Sequence, residues 1–283
     1  GFATTIGAFL ALAPLTTVLS VALCIAVIML SGFVSLGAQF FAGQLKAAGA
    51  DAAVTLTPHS QAGIKAYKDV FGDDFTAVQA TDIFADYIRS RFGSDPAQIA
   101  LGAPDGADKA ADEGQIRARA LADSVFGSHD GDKLFLIAKT HTGVNDTKIT
   151  AFTGHVAGKH CVIVDDMIDG GSTMINAASL LKARGAASVT ACAPHGILSG
   201  NALEKILSAR PDGQHFAIDK LVLSDSLPAA TQKAASLAQK DPAMAARVDI
   251  LPAGDALIAA ALAMGAKAAS AAAPAATLKK RAP

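Results

Sequence analysis

Val162-Ile163-Val164-Asp165-Asp166-Met167-Ile168-Asp169-Gly170-Gly171-Ser172-Thr173 is the stretch on which the fold turns. A short apolar run of β-branched residues reads as a buried strand. It ends in two acidic residues, and a Gly/Ser/Thr turn then opens a predicted helix from Met174 to Arg184, closed by Gly185. Strand and helix keep alternating beyond it. Ser188–Ala193 and Lys220–Ser224 read as strands with a helix at Ala202–Ser208 between them, and Asp249–Pro252 and Ala256–Met264 read as a last strand and helix. Upstream, the pattern predicts helices over Ser35–Ala50, Asp82–Phe92 and Ala118–Val125, and strands over Ala52–Thr57, Ile99–Gly102 and Leu134–Ala138. Such alternation specifies an α/β, Rossmann-like fold of mostly parallel strands flanked by helices.

The chemistry of the opening stretch follows from its position. Ligands of open parallel sheets bind beyond the carboxyl ends of the strands. Asp165 and Asp166 stand there and can accept hydrogen bonds from the vicinal hydroxyls of a ribose. The turn Asp169, Gly170, Gly171, Ser172, Thr173 offers backbone N–H groups and two hydroxyls at a helix N-terminus, which suits a phosphate. A simpler reading makes Asp169 and Ser172 helix caps. Caps require neither the paired acids nor two glycines.

Composition narrows the rest. Lys and Arg number 24 against 25 Asp and Glu, so no broad basic field argues for nucleic acid. Cys24, Cys161 and Cys192 are widely spaced among apolar residues and read as reduced, buried thiols of a cytoplasmic protein. Residues 1–34 carry no charge, and Leu10–Leu30 is apolar enough to cross a bilayer or to form a buried strand and helix. Both readings stand, so membrane contact by residues 10–30 is one expectation. No positive n-region marks a signal peptide, and the sequence does not open with Met. From residue 265 the Ala-rich end, with Lys279-Lys280-Arg281, reads as a disordered tail.

The opening stretch resembles the loop by which type I phosphoribosyltransferases and ribose-phosphate pyrophosphokinases (PRPP synthetases) bind their sugar phosphate. Further segments single out the synthetases. Ala193–Ala202 (APHGILSGNA) resembles their "T-H-G-[IV]-[FL]-S-G-x-A", and Ser224–Pro228 (SDSLP) their "T-[ND]-T-[IV]-P". Leu45–His59 (LKAAGADAAVTLTPH) and Ala80–Ile88 (ATDIFADYI) fit their upstream segments, in the family's order. The resemblance implies a two-domain phosphoribosyltransferase-like fold, with 35–78 a remnant of the first domain and 79–264 the phosphoribosyltransferase-type domain. It implies that His59 and Asp105 help place Mg²⁺-ATP, with Mg²⁺ as cofactor, and that Lys139 is the catalytic lysine of a mobile polar loop over Lys139–Lys148. ATP and ribose 5-phosphate would be the substrates, in a dimer, a hexamer or a hetero-oligomer with a full-length synthetase. Two departures stand out. His141 occupies the place of the family's loop arginine, and the ATP-binding "F-x-[DN]-G-E" and "Y-x-R-Q-[DH]" segments are not in this sequence. Besides the diphosphokinase, the resemblance therefore admits a non-catalytic regulatory subunit. A PRPP-using phosphoribosyltransferase would need a base-binding hood, for which no segment presents itself.

Overall fold

The computed structural model describes residues 34–104, 113–143 and 146–272. In chain order the elements are α1 (Val34–Ala47), β1 (Ala53–Leu56), α2 (Gln61–Phe71), β2 (Phe75–Val78), α3 (Thr81–Phe92), β3 (Ile99–Gly102) and α4 (Glu113–Phe126). There follow β4 (Leu134–Gly143), β5 (Asp146–Thr153), β6 (His160–Val164), the two-residue β7 (Met167–Ile168), α5 (Ser172–Ala183), β8 (Ser188–Ala193) and β9 (His195–Gly196). The chain closes with α6 (Ala202–Ser208), β10 (Lys220–Ser224), α7 (Pro228–Lys240), α8 (Pro242–Ala245), β11 (Val248–Leu251) and α9 (Gly254–Ala272).

Seven strands form the main sheet in the order β11-β10-β8-β6-β3-β4-β5, parallel throughout except for the antiparallel β4–β5 pair. The apolar strands alternate between two packed faces. Cys161 and Ile163 of β6 join the core under α5 and α6, whereas Val162 and Val164 join the core under α3 and α4. Burial on both faces is why β6 reads as an unbroken apolar run. From β3 the chain proceeds outward through β4 and β5; from β6 it proceeds the other way through β8, β10 and β11. The crevice between the carboxyl ends of β3 and β6 is therefore the topological switch point, where such sheets take their ligands. Gly102 ends β3 there, and a Cβ on it would meet the Phe135 ring at 2.4 Å.

A smaller unit sits against this sheet. The parallel pair β1–β2 has Phe41, Leu45, Phe71 and Phe75 clustered on one side. Leu56 at the end of β1 instead joins the core beneath α3 and α4, with Leu257 of α9 packed against the same cluster. The unit is thereby tied to the main domain by apolar contact, a driving force of roughly 25 cal/mol per Å² removed from water.

Three differences from the sequence-based expectations have physical causes. Lys139–Lys148 is not a polar loop: β4 continues to Gly143 and pairs with β5, Lys139 opposite Ile149 and His141 opposite Thr147, with an irregularity at Ala138/Lys139. Its alternating threonines favour extended pairing while lowering the apolar signal. Helices α2 and α7 lie where the pattern predicts none, because their buried faces are mostly small: α2 buries Gly63, Ala66 and Phe71, and α7 buries Ala230 and Leu237. Finally, α9 runs on to Ala272 rather than ending at Met264, so the first part of the expected tail is helical. Alanine has the highest intrinsic helix propensity, which outweighs the shortage of large apolar groups. The Leu10–Leu30 run and Lys279–Arg281 lie outside the described residues. Among the described residues no helix is long and apolar enough to cross a membrane.

Candidate active site

Asp165 and Asp166 follow β6 directly, and the Asp165 N–H still donates to the Cys192 carbonyl of β8 at 3.0 Å. The strand end thus holds both acids at the switch point. Arg117, on the inner face of α4, lies between them: Nη2 is 3.4 Å from Asp165 Oδ1 and 3.3 Å from Asp166 Oδ1. His59 reaches over from the smaller unit, its Nδ1 2.6 Å from Asp166 Oδ2.

These contacts separate the two carboxylates electrostatically. Burial pushes Asp165 up to about 7, helped by the neighbouring Asp166. Burial acts the same way on Asp166, but the His59 hydrogen bond and the Arg117 charge reverse it and hold Asp166 at about 2. The bond to Asp166 in turn raises His59 above its usual range. Asp166 is the fixed anion of the site, and Asp165, with its side chain 22% exposed, is the carboxyl that solvent reaches.

The turn after the acids is shaped by its neighbour segment. β7 pairs in parallel with β9, Met167 opposite His195 and Ile168 opposite Gly196. The N–H groups of Ile197 and Leu198 both donate to the Ile168 carbonyl, and that of Ser199 to Asp169 Oδ1 at 3.1 Å. Asp169 therefore braces the opposite loop instead of capping α5. The N-cap position of α5 is Gly171, which supplies no side chain, so the first turn of α5 meets solvent without a side-chain cap. Gly171 has φ +77°, and a Cβ there would lie 2.4 Å from Ile206 Cγ1; the position accepts only glycine. Ser172 and Thr173 are exposed beside it. Lys205 of α6 adds a cation, with Nζ 2.7 Å from Ser172 Oγ and 3.3 Å from the Gly170 carbonyl. Two non-glycine residues bordering the site, Thr57 (φ +39°) and Leu198 (φ +53°), hold the left-handed conformation, a strain that clusters at functional sites.

The structure thus brings together His59, Asp165 and Asp166, with Asp169, Gly170, Gly171, Ser172 and Thr173 on the adjoining turn. Lys139 enters through its backbone alone, since its side chain is outside the described ones. Phe135 is level with Gly102, and Gly102 with Ile163, so Lys139 lies beyond the carboxyl ends of β3 and β6, on the same edge as the acids. Asp105 lies outside the described residues; Ala103 and Pro104 before it leave β3 at this edge.

Arg117, His195 and Lys205 belong to this neighbourhood and were not among the residues the sequence singled out. His195 stands within the quoted APHG segment; Arg117 shares the buried face of α4 with Gln115 as well as Ala118, Leu121 and Val125, and no local pattern marks it.

No group of three or more His, Cys, Asp or Glu gathers among the described residues to cage an ion. Magnesium needs none, because it takes one or two carboxylates and completes its shell with water and phosphate oxygens. The Asp165–Asp166 pair fits a magnesium ion carried in with phosphate. Such an ion would neutralise phosphate charge.

Comparison with known proteins agrees with this geometry. The family model described as a phosphoribosyl synthetase-associated domain matches residues 137–245. The ribose-phosphate pyrophosphokinase of Hyphomonas neptunium is 31% identical over 196 residues, covering 69% of this chain and 55% of that protein. The one from Mesorhizobium japonicum is 32% identical over 199 residues, 70% of this chain and 56% of the relative. The chain thus spans about 55% of the length of these curated relatives. The phosphoribosylpyrophosphate synthetase of Mycobacterium smegmatis has a similar structure, with TM-score 0.57 and 26% identity over 83% of this chain and 63% of that one. Motif order, sheet order and these likenesses together mean that the chain belongs to the ribose-phosphate pyrophosphokinase family.

Proposed function

We propose that the protein is a ribose-phosphate diphosphokinase, which moves the β,γ-diphosphoryl group of Mg²⁺-ATP to the 1-hydroxyl of ribose 5-phosphate. The O1 oxygen attacks the β-phosphorus, the bond to the α-phosphate oxygen breaks, and AMP leaves. In this reading Asp165 and Asp166 accept the ribose hydroxyls, and the turn from Asp169 to Thr173 binds the 5-phosphate through backbone N–H groups and hydroxyls. His59 and Asp105 help place Mg²⁺-ATP. Lys139, on the edge shared with the acids, stabilises charge on the transferring group, the main contribution a protein makes to phosphoryl transfer. The observation that carries the reading is the acidic pair at the switch point, followed at once by a glycine turn and an uncapped helix N-terminus.

A non-catalytic subunit that keeps the sugar-phosphate site is the second reading. It is favoured by His141 at the family's arginine position, since a histidine is largely neutral at pH 7. In both readings assembly, as a homo-oligomer or with a full-length synthetase, would complete the nucleotide site.

Calorimetric titration with ribose 5-phosphate and then Mg²⁺-ATP, followed by an AMP-release assay, separates them. The enzyme reading expects both ligands to bind, with Lys139→Ala lowering kcat by about 10²–10³-fold while ribose 5-phosphate still binds. Ribose 5-phosphate binding with no AMP release by the protein alone, together with capture of a full-length synthetase in a pull-down, would establish the non-catalytic subunit. No ribose 5-phosphate binding at all would sink both.

A further inference from the structure

His195 stands where three segments from distant parts of the chain meet. Its backbone N–H donates to the Asp166 carbonyl at 3.2 Å. Its ring Nε2 is 3.1 Å from the carbonyl oxygen of Leu56, the last residue of β1. Its Nδ1 is 3.0 Å from Ser226 Oγ, just past β10. A carbonyl only accepts, so Nε2 carries the ring proton and donates to Leu56; the Ser226 hydroxyl beside Nδ1 gives its single proton to the Pro194 carbonyl at 2.7 Å. Burial keeps the ring neutral by lowering its pKa.

These contacts close a circuit around the site. Leu56 leads through Thr57 and Pro58 to His59, and the His59 ring returns to Asp166 at 2.6 Å. Asp166 is joined through its own carbonyl to His195, and His195 through its ring to Leu56. Between Leu56 and His59 the backbone passes through Thr57 at φ +39°, a conformation that persists only where its surroundings over-determine it. Thr57 is braced by the segment that leads from β2 into α3, its N–H on the Val78 carbonyl at 2.7 Å and its Oγ1 accepting from Ala80 N at 2.9 Å. The His195 ring carries that bracing across to the segment that holds the acids.

We propose that His195 is a positioning residue: by tying the end of β1 to the Asp166 backbone, it sets His59 against Asp166 without touching substrate. This rests on the reading of His59 as a group that places Mg²⁺-ATP. It also divides the site, because the ring contact acts on the segment carrying His59, whereas the acids and the phosphate turn are held by backbone bonds of β6, β7, β8 and β9 that the ring does not make.

The test uses the full chain with His195→Phe, which removes both ring contacts at similar volume, and His195→Gln, whose amide can still donate to Leu56. The KM for Mg²⁺-ATP is expected to rise roughly tenfold in His195→Phe, with ribose 5-phosphate affinity within about twofold of wild type. His195→Gln should recover most of the loss. Hydrogen exchange should accelerate at residues 53–59 in His195→Phe, with β6 and β8 unchanged. Unaltered exchange at 53–59, an equal loss of ribose 5-phosphate affinity, or no recovery in His195→Gln would overturn the assignment. If the wild-type protein never binds Mg²⁺-ATP, the diphosphokinase reading fails instead, and the exchange pattern alone decides whether the tie exists. Should His195→Phe not fold, His195→Ala, which also removes the ring contact to Leu56, serves the same comparison.

Discussion

Asp165 and Asp166 are chemically the same residue placed side by side, and the fold makes them unlike. Asp166 accepts from His59 and faces Arg117, so its folded-state pKa of about 2 lies below that of the unfolded chain. Its contribution to stability is present above about pH 4 and is lost as pH falls toward 2. Asp165 behaves oppositely. Its folded value of about 7 is above the unfolded one, so the native state retains a proton that the unfolded chain releases, and stability falls as pH rises from about 4 to 7. Asp165→Asn should remove that fall. Wild-type unfolding free energy, measured by urea at successive pH values, should decline across this window relative to the variant by up to one proton's slope, about 1.4 kcal/mol per pH unit. Parallel curves would mean that Asp165 titrates normally. Asp166→Asn should cost about 3 kcal/mol at pH 7, because it leaves the buried Arg117 guanidinium facing Asp165 alone and removes the charged partner of His59. The acids themselves were legible in the sequence. Arg117 was not, because its partners lie 48 and 49 residues away and only the packing of α4 on β6 joins them.

At the scale of elements, legibility followed the size of the buried side chains. β3 and β10 fall within the residues predicted for them, since buried strands rich in Ile, Leu and Val leave little else to read; β8 (SVTACA), with smaller side chains, was legible from its place in the strand–helix alternation. The β4–β5 hairpin hid behind threonines, and α7 behind alanines. The turn between β7 and α5 was readable in composition, yet the reason for its second glycine was not: Ile206, on α6, occupies the space. Gly171→Ala should therefore destabilise the protein by about 2–4 kcal/mol, from the left-handed backbone and the clash together, and weaken ribose 5-phosphate binding. Ile206→Ala in the same chain removes the clashing Cγ1 but leaves the backbone strain. The double variant should be more stable than the sum of its parts by about 1 kcal/mol or more in urea unfolding. Strict additivity would mean that the steric account of Gly171 is wrong.

Over the whole molecule, the resemblance implies a boundary at about residue 79, and contacts run across that position. Leu56 belongs to the smaller unit by sequence and to the core beneath α3 and α4 by contact. His59 and His195 add polar ties in both directions across the same boundary, and α9 returns from the far end of the chain to lay Leu257 against that core. A two-stranded parallel sheet has little independent stability, so the smaller unit should not outlast the domain that it packs on. The chain has no tryptophan, and Tyr67 stacks between Phe71 and Phe75 inside the small cluster. Tyr67→Trp would thus report on that unit by fluorescence, while circular dichroism follows the main sheet. The two urea transitions should coincide, as cooperative unfolding requires, and ribose 5-phosphate should move both together, by about 2.7 kcal/mol at a hundredfold excess over its Kd. An earlier fluorescence transition, unmoved by ribose 5-phosphate, would mean that the unit carrying His59 is only loosely docked. In that case the His59–Asp166 contact would have to be formed by nucleotide binding rather than stand ready for it.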